Sequence, residues 1–162
     1  MKLKSFLICL LCLLIFFSGC NSNPADKGIN FYYCQTKIDY DAPQGAIGSE
    51  FRNEPIDPLA YNKLLTQYLS GPKSSGLVSP FPEGVYLVSF AIEQQNATIV
   101  LSDHIAELNG IDLSIACTCL SLTVKELTGC ASVQIRAQNE LLDSKQSVTI
   151  NTNAILLSEL SQ

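Results

Sequence analysis

The strongest constraint in this chain is a helix with a hard stop, followed by a hairpin. It runs from Asp57 to Ser102. Asp57 offers a carboxylate to the free amides of a helix start, and Pro58 fits the first turn, where no donor is needed. Tyr61, Leu64, Leu65, Tyr68 and Leu69 recur at helical spacing and give the helix one apolar side. Gly71 supplies the left-handed stop and Pro72 forbids continuation. Lys73 to Gly84 is rich in Ser, Gly and Pro and holds no periodic pattern, so it reads as a linker. Tyr86, Val88, Phe90 and Ile92 then alternate, which predicts one apolar strand face. Ala97, Ile99 and Leu101 alternate again after Glu93-Gln94-Gln95-Asn96, and Asn96 is the turn residue expected to take positive φ.

The N-terminus sets the compartment. Lys2 and Lys4 precede an unbroken apolar run from Phe6 to Phe17, closed by Ser18-Gly19-Cys20. A basic start, a short apolar core and a small-residue end describe an export leader. The run is shorter than the roughly 20 residues of a spanning helix. The overall apolar share of 47% is inflated by this leader. Phe17-Ser18-Gly19-Cys20 resembles the bacterial lipobox, which implies a diacylglyceryl group on Cys20. Acyl chains contribute about 0.8 kcal/mol per buried methylene, and stable anchoring takes more than one chain. The expected organisation is a lipoprotein signal peptide over 1–19 and the lipidated Cys20 with a flexible tether over 20–29. A domain over 30–150 and a C-terminal tail over 151–162 follow. The domain is expected outside the cell membrane, lipid-anchored and facing the extracytoplasmic side.

Charge narrows the partners. The formal net charge is −5, and loss of Lys2 and Lys4 with the leader makes the mature chain more acidic still. That argues against nucleic acid, whose phosphates demand a basic surface. It also leaves the acyl chains, rather than basic residues, to hold the membrane.

Around the central stretch, Asn30 to Lys37 fits a strand through Phe31, Tyr32, Tyr33 and Cys34. Tyr40 to Pro55 reads as a long solvated acidic loop with a short strand near Ala46 to Phe51. Its carboxylates Asp41, Glu50 and Glu54, with Asp39 just before it, lack calcium-loop spacing. Asp112 to Thr128 is a second helix, capped by Asp112 and stopped by Gly129. Its broad stripe of Leu113, Ala116, Cys117, Leu120, Val124 and Leu127, widened by Ile115, Cys119 and Leu122, predicts deep burial. Cys130 to Ala137 is a strand, and Val148 and Ile150 suit a last edge strand. Four cysteines remain after the leader and Cys20: Cys34, Cys117, Cys119 and Cys130. Cys117 and Cys119, two apart on a helix, cannot pair with each other. Two readings stay open: small buried apolar residues, or one disulfide joining Cys34 or Cys130 to a helix cysteine.

No P-loop, dinucleotide glycine motif or Gly-x-Ser-x-Gly is present. His104 is the only histidine, so any Ser-His-Asp or Cys-His hydrolase would have to use it, and a metal cluster of several histidines is excluded. Asn96-Ala97-Thr98 matches a glycosylation sequon, which a bacterial leader makes irrelevant. No catalytic residue, metal or cofactor is expected, and the chain reads as a non-enzyme. A second reading is a solute- or glycan-binding lipoprotein. It needs an aromatic-lined pocket, for which Tyr32, Tyr40, Phe51 and Phe81 are the candidates outside the predicted core.

The order of elements carries a resemblance. Tyr61 to Pro72 resembles the helix ending in Leu-x-Gly-Pro of the GerMN domain of sporulation and spore-germination lipoproteins. Leu77-Val-Ser-Pro-Phe-Pro-Glu-Gly84 is similar to its following loop, and Ala97 to Ser102 to its strand ending in Leu-Ser. Leu122 to Ile135 resembles its second helix, glycine turn and Val-Gln-Ile strand. The resemblance implies a non-catalytic α+β module acting in envelope assembly during sporulation or germination. An envelope protein partner, rings and larger assemblies including homo-oligomers belong to that implication. The expected fold is a single small α+β domain of order βαββαβ, with two helices on one face of a mainly antiparallel sheet.

Overall fold

A computed structural model describes residues 28–37 and 45–155. The leader, Cys20, most of the tether, Asp39, Tyr40, Asp41 and the tail beyond Ile155 lie outside the described residues. The strands are β1 (Ile29–Gln35), β2 (Ile47–Arg52), β3 (Leu77–Val78), β4 (Leu87–Glu93), β5 (Asn96–Leu101), β6 (Ser132–Ala137) and β7 (Val148–Asn151). The helices are α1 (Tyr61–Leu69) and α2 (Gly110–Thr128), with 3-10 turns at Pro58–Ala60 and Asp103–Glu107. The α+β class and the two helices are as expected. The strands, however, form two sheets rather than one: β2-β1-β3 and β4-β5-β6-β7. Every pairing is antiparallel except β5 with β6. A parallel pair needs a long crossover, and α2 supplies it.

The two sheets share one core. Ile29, Phe31 and Tyr33 of β1 join Leu64, Leu65 and Tyr68 of α1, Ile99 and Leu101 of β5, and Val133 and Ile135 of β6. Asp57 caps the first turn as expected: Leu59 N–H donates to Asp57 Oδ1 at 2.9 Å. Gly71, at φ +95°, ends α1. The second helix begins two residues before Asp112, with Asn109 at the cap position and Asp112 in the first turn. Gly129 stops it in the left-handed conformation at φ +71°. From Cys119 to Val124 every residue of α2 is buried, polar Ser121 and Thr123 included, because α2 touches β1 on one side and β6 and β7 on the other.

Thr123 explains how β1 can border a helix. Tyr32 N–H donates to Thr123 Oγ1 at 3.0 Å, and Tyr32 C=O accepts from Tyr68 Oη at 2.9 Å. Both backbone groups would otherwise be left without a partner where β1 has no neighbouring strand. Tyr68 also stacks on Tyr33, with centroids 4.9 Å apart, and meets Phe31 edge-on at 5.6 Å.

The predicted acidic loop is corrected at Glu50. It lies in β2 and is buried, as is Arg52. Arg52 Nε donates to Glu50 Oε1 at 2.6 Å. Arg52 Nη2 donates to Gly71 C=O at 3.0 Å, and the guanidinium sits 4.7 Å over the Phe31 ring. Glu50 Oε2 accepts from the N–H groups of Lys73 and Ser74, each at 2.7 Å. The pair therefore clasps the turn that leaves α1. Alternation within β2 hides this role, because charged residues usually mark the solvent face. Burial alone would raise the Glu50 pKa, but hydrogen bonds from Arg52, Ser74 and Lys73 outweigh it and hold the carboxyl at about 2 instead of its ordinary 4.5.

Two outcomes follow from this core. Leu64→Ala is expected to cost about 2–5 kcal/mol in urea unfolding, and a change near zero would contradict the placement of α1. The folded Glu50 has the lower pKa, so the unfolded chain takes up its proton first as pH falls. Stability should decline from about pH 4.5 toward pH 2. Glu50→Gln should flatten that slope and, by leaving Arg52 buried and unpaired, cost about 3–5 kcal/mol at neutral pH.

Candidate interaction surface

Strand β4 departs from its predicted pattern. Leu87 pairs with Leu101, but the next pair is Ser89 with Val100, so Val88 is an extra residue in a bulge. Directly paired residues project to the same face. Leu87, Phe90 and Ile92 thus share the face of Ala97, Ile99 and Leu101, which are fully buried. The expected single face of Tyr86, Val88, Phe90 and Ile92 is broken by the bulge. Tyr86 is left 57% exposed and Val88 39%. The hairpin turn differs as well: Gln94 takes the positive φ of +57°. Asn96 instead opens β5 opposite Glu93 and accepts from Ser132 Oγ.

Among the described residues β4 is an edge strand, paired only with β5. Glu93 is its one charged residue, and it contains no Pro or Lys. Natural edges are usually blunted by such residues, so this one keeps free backbone donors and acceptors along an apolar strand. The bulge bends only its first end. Beside it the start of α1 forms one wall of a shallow depression of ≈ 290 Å³, lined by Pro58, Leu59, Tyr61, Asn62, Phe90, Ala91 and Ile92. Tyr61 meets Phe90 edge-on at 6.1 Å and forms the floor. Leu59 is 94% exposed on the rim, and Ile56 and Ile92 are exposed nearby. A free strand edge beside an apolar trough is the arrangement that accepts an added strand from a partner. The sequence held a signal for it: Ile56 and Leu59 flank the Asp57 cap off the helical stripe.

The other candidate residues do not converge. Phe81 is buried in the core, edge-on to Tyr68 at 6.0 Å, whereas Phe51 is 59% exposed on β2. Tyr32 Oη donates to Glu126 Oε1 at 3.3 Å; burial and then Glu126 push its pKa up to about 12. Tyr40 lies outside the described residues, so no aromatic pocket is assembled by the three described. His104 is exposed, with its imidazole over Gly84. Its neighbours are engaged elsewhere. Asp103 accepts from the N–H of Asn139 at 2.7 Å and its Nδ2 at 2.9 Å. Buried Ser102 Oγ donates to Gly84 C=O at 3.0 Å and accepts from Tyr86 N–H at 3.1 Å. These bonds fasten the entry of β4 to the end of β5, a structural reason for the Leu-Ser ending. Among the described residues no three His, Cys, Asp or Glu side chains form a group able to hold a metal ion. None of the described helices is long and apolar enough to cross a membrane. Cys20, the predicted lipid site, lies outside the described residues.

The fold and its motifs define a class that comparison with known proteins identifies. Residues 31–143 match the model of the Germane family, sporulation and spore germination. The match spans well over half the chain, and the protein belongs to this family. No curated protein matches it. Among solved structures, it is similar to the first GerMN domain of the sporulation protein GerM from Bacillus subtilis. That likeness has 12% identity and a TM-score of 0.53, covering 74% of this chain and 90% of that one. It is also similar to the tandem GerMN domains of the same protein, at 19% identity and TM-score 0.54, covering 80% of this chain and 46% of that one. At these identities the likeness is one of fold.

Because Leu59 is solvent-exposed, Leu59→Ala should change unfolding free energy by less than about 0.5 kcal/mol. A loss of the size expected for Leu64→Ala would mean that Leu59 belongs to the core and not to an open surface.

Proposed function

We propose that this protein is a lipid-anchored extracytoplasmic module that scaffolds other envelope proteins and performs no catalysis of its own. The observation that carries the reading is the unpaired β4 edge beside the trough of Leu59, Phe90 and Ile92. An incoming extended segment would gain backbone hydrogen bonds from β4 and place alternate apolar side chains in the trough. The acidic mature charge favours a partner with basic residues at the rim of its docking segment. Lipid on Cys20 supplies the membrane hold, and the intervening tether lets the domain reach a partner in the envelope. Membership of a sporulation and germination family supports an assembly role in that setting. The separate engagements of Ser102, Asp103 and His104 support a module without a hydrolytic centre.

The test is crosslinking in intact cells, followed by recovery through the tagged chain. Wild-type protein should fractionate with membranes and bring down an envelope protein. Ile92→Lys and Leu59→Glu should abolish that recovery while the protein stays folded and membrane-bound. Cys20→Ala should release it from membranes. Unchanged recovery with both surface variants would rule out the β4 edge as the docking site. Membrane retention without Cys20 would rule out the lipid anchor.

A further inference from the structure

Two of the four cysteines outside the leader and lipid site face each other across the β1–α2 boundary. The Tyr32 N–H to Thr123 Oγ1 bond, 3.0 Å long, fixes the register between strand and helix. From Tyr32, two residues along β1 reach Cys34, a step of about 7 Å at the strand rise. From Thr123, one turn back along α2 reaches Cys119, a step of about 6 Å at the helical rise. The two steps match in length, and β1 and α2 are in contact along this boundary, so Cys34 and Cys119 are placed as neighbours. Cys117 and Cys130 belong to the shared apolar core, whereas Cys119 stands outside that cluster. All four thiols are free in this structure.

We propose that Cys34 and Cys119 form a disulfide that locks β1 to α2 in the exported protein. The proposal rests on the extracytoplasmic location argued above, because that compartment supplies an oxidant and the cytosol does not. The oxidant is a disulfide, either small-molecule or carried by an oxidoreductase. Partly exposed Cys34 is the thiol it can reach; Cys119 is buried. The Cys34 thiolate attacks one sulfur of the oxidant, breaks its S–S bond and forms a mixed disulfide, releasing one thiolate. The Cys119 thiol then gives up its proton and attacks the Cys34 sulfur, expelling the second thiolate. Two protein thiols lose two electrons, and the oxidant leaves as two thiols carrying the two protons. The roles suit the local chemistry. The neighbouring Cys119 draws the Cys34 thiol below its ordinary range, while Cys34 and burial hold Cys119 above it. Burial pushes Cys117 up to about 12, which makes it a poor nucleophile.

The experiment uses the full chain, purified from membranes in detergent, fully reduced and then exposed to oxidised glutathione. Thiols are blocked with iodoacetamide, and peptides are mapped without reduction. The expected product is a Cys34–Cys119 linked peptide, with Cys117 and Cys130 alkylated only after unfolding. Closing so long a loop should raise the unfolding midpoint by on the order of 10 °C over the reduced form. Cys34→Ala should remove both the link and the shift, and Cys117→Ala neither. Recovery of Cys34 and Cys119 as free thiols, a lasting glutathione adduct on Cys34, or a link to Cys117 or Cys130 would overturn the pairing. The same map on protein taken directly from cells separates this idea from the location. Membrane-bound protein with both thiols free overturns the disulfide. Protein found in the cytoplasm overturns the anchored location, and the purified-protein map then decides the pairing by itself.

Discussion

The side of β1 that β3 leaves unpaired is the constraint around which the fold closes. The short β3 pairs only with Cys34 and Gln35, so the rest of that side of β1 must find other partners for its backbone groups once it is buried. Here the partners are side chains: Thr123 from α2 and Tyr68 from α1 converge on the two backbone groups of Tyr32. One residue's polar groups thereby hold both helices to the same strand. A continuous sheet would have used a strand at that edge. With helices there instead, the strands divide into two sheets, and one core fills the space among them.

The Glu50–Arg52 pair completes the arrangement at the end of α1. A buried ion pair is a weak source of net stability, because removing two charges from water offsets much of their attraction. Its value here is directional. Arg52 reaches Gly71 C=O and Glu50 takes two consecutive N–H groups just beyond Pro72, so the turn after α1 has one way to leave. That exit sends the linker to β3, which adds a short third strand at the Cys34 end of β1. The chain then arrives at β4 with the edge outward. The contacts that fix the exit of α1 therefore leave the β4 edge without a further strand among the described residues.

The proposed docking surface, built on a strand edge, has a particular economy. Backbone hydrogen bonds supply affinity with little demand on partner sequence, and the trough beside Phe90 and Ile92 adds selection for apolar side chains. The Val88 bulge limits the usable edge to the part next to that trough. Such a design suits the proposed role of joining other envelope proteins.

Sequence alone determined both helices, their stops at Gly71 and Gly129, the β4–β5 hairpin and most of the apolar core, because these depend on local periodicity and on residues with restricted φ. It also carried the family motifs, since the Gly71-Pro72 stop and the strand-ending Ser102 act through local backbone contacts. Tertiary structure decided the rest. Glu50 and Arg52 look like solvent residues until a turn two dozen residues away brings them buried partners. Thr123 looks like a helix-surface residue until β1 presents an unpaired amide. The face of β4 reversed at Val88, since pairing with β5, and not the alternation of β4 itself, sets which residues point inward. Those outcomes depend on contacts between distant segments, and no pattern within one segment records them.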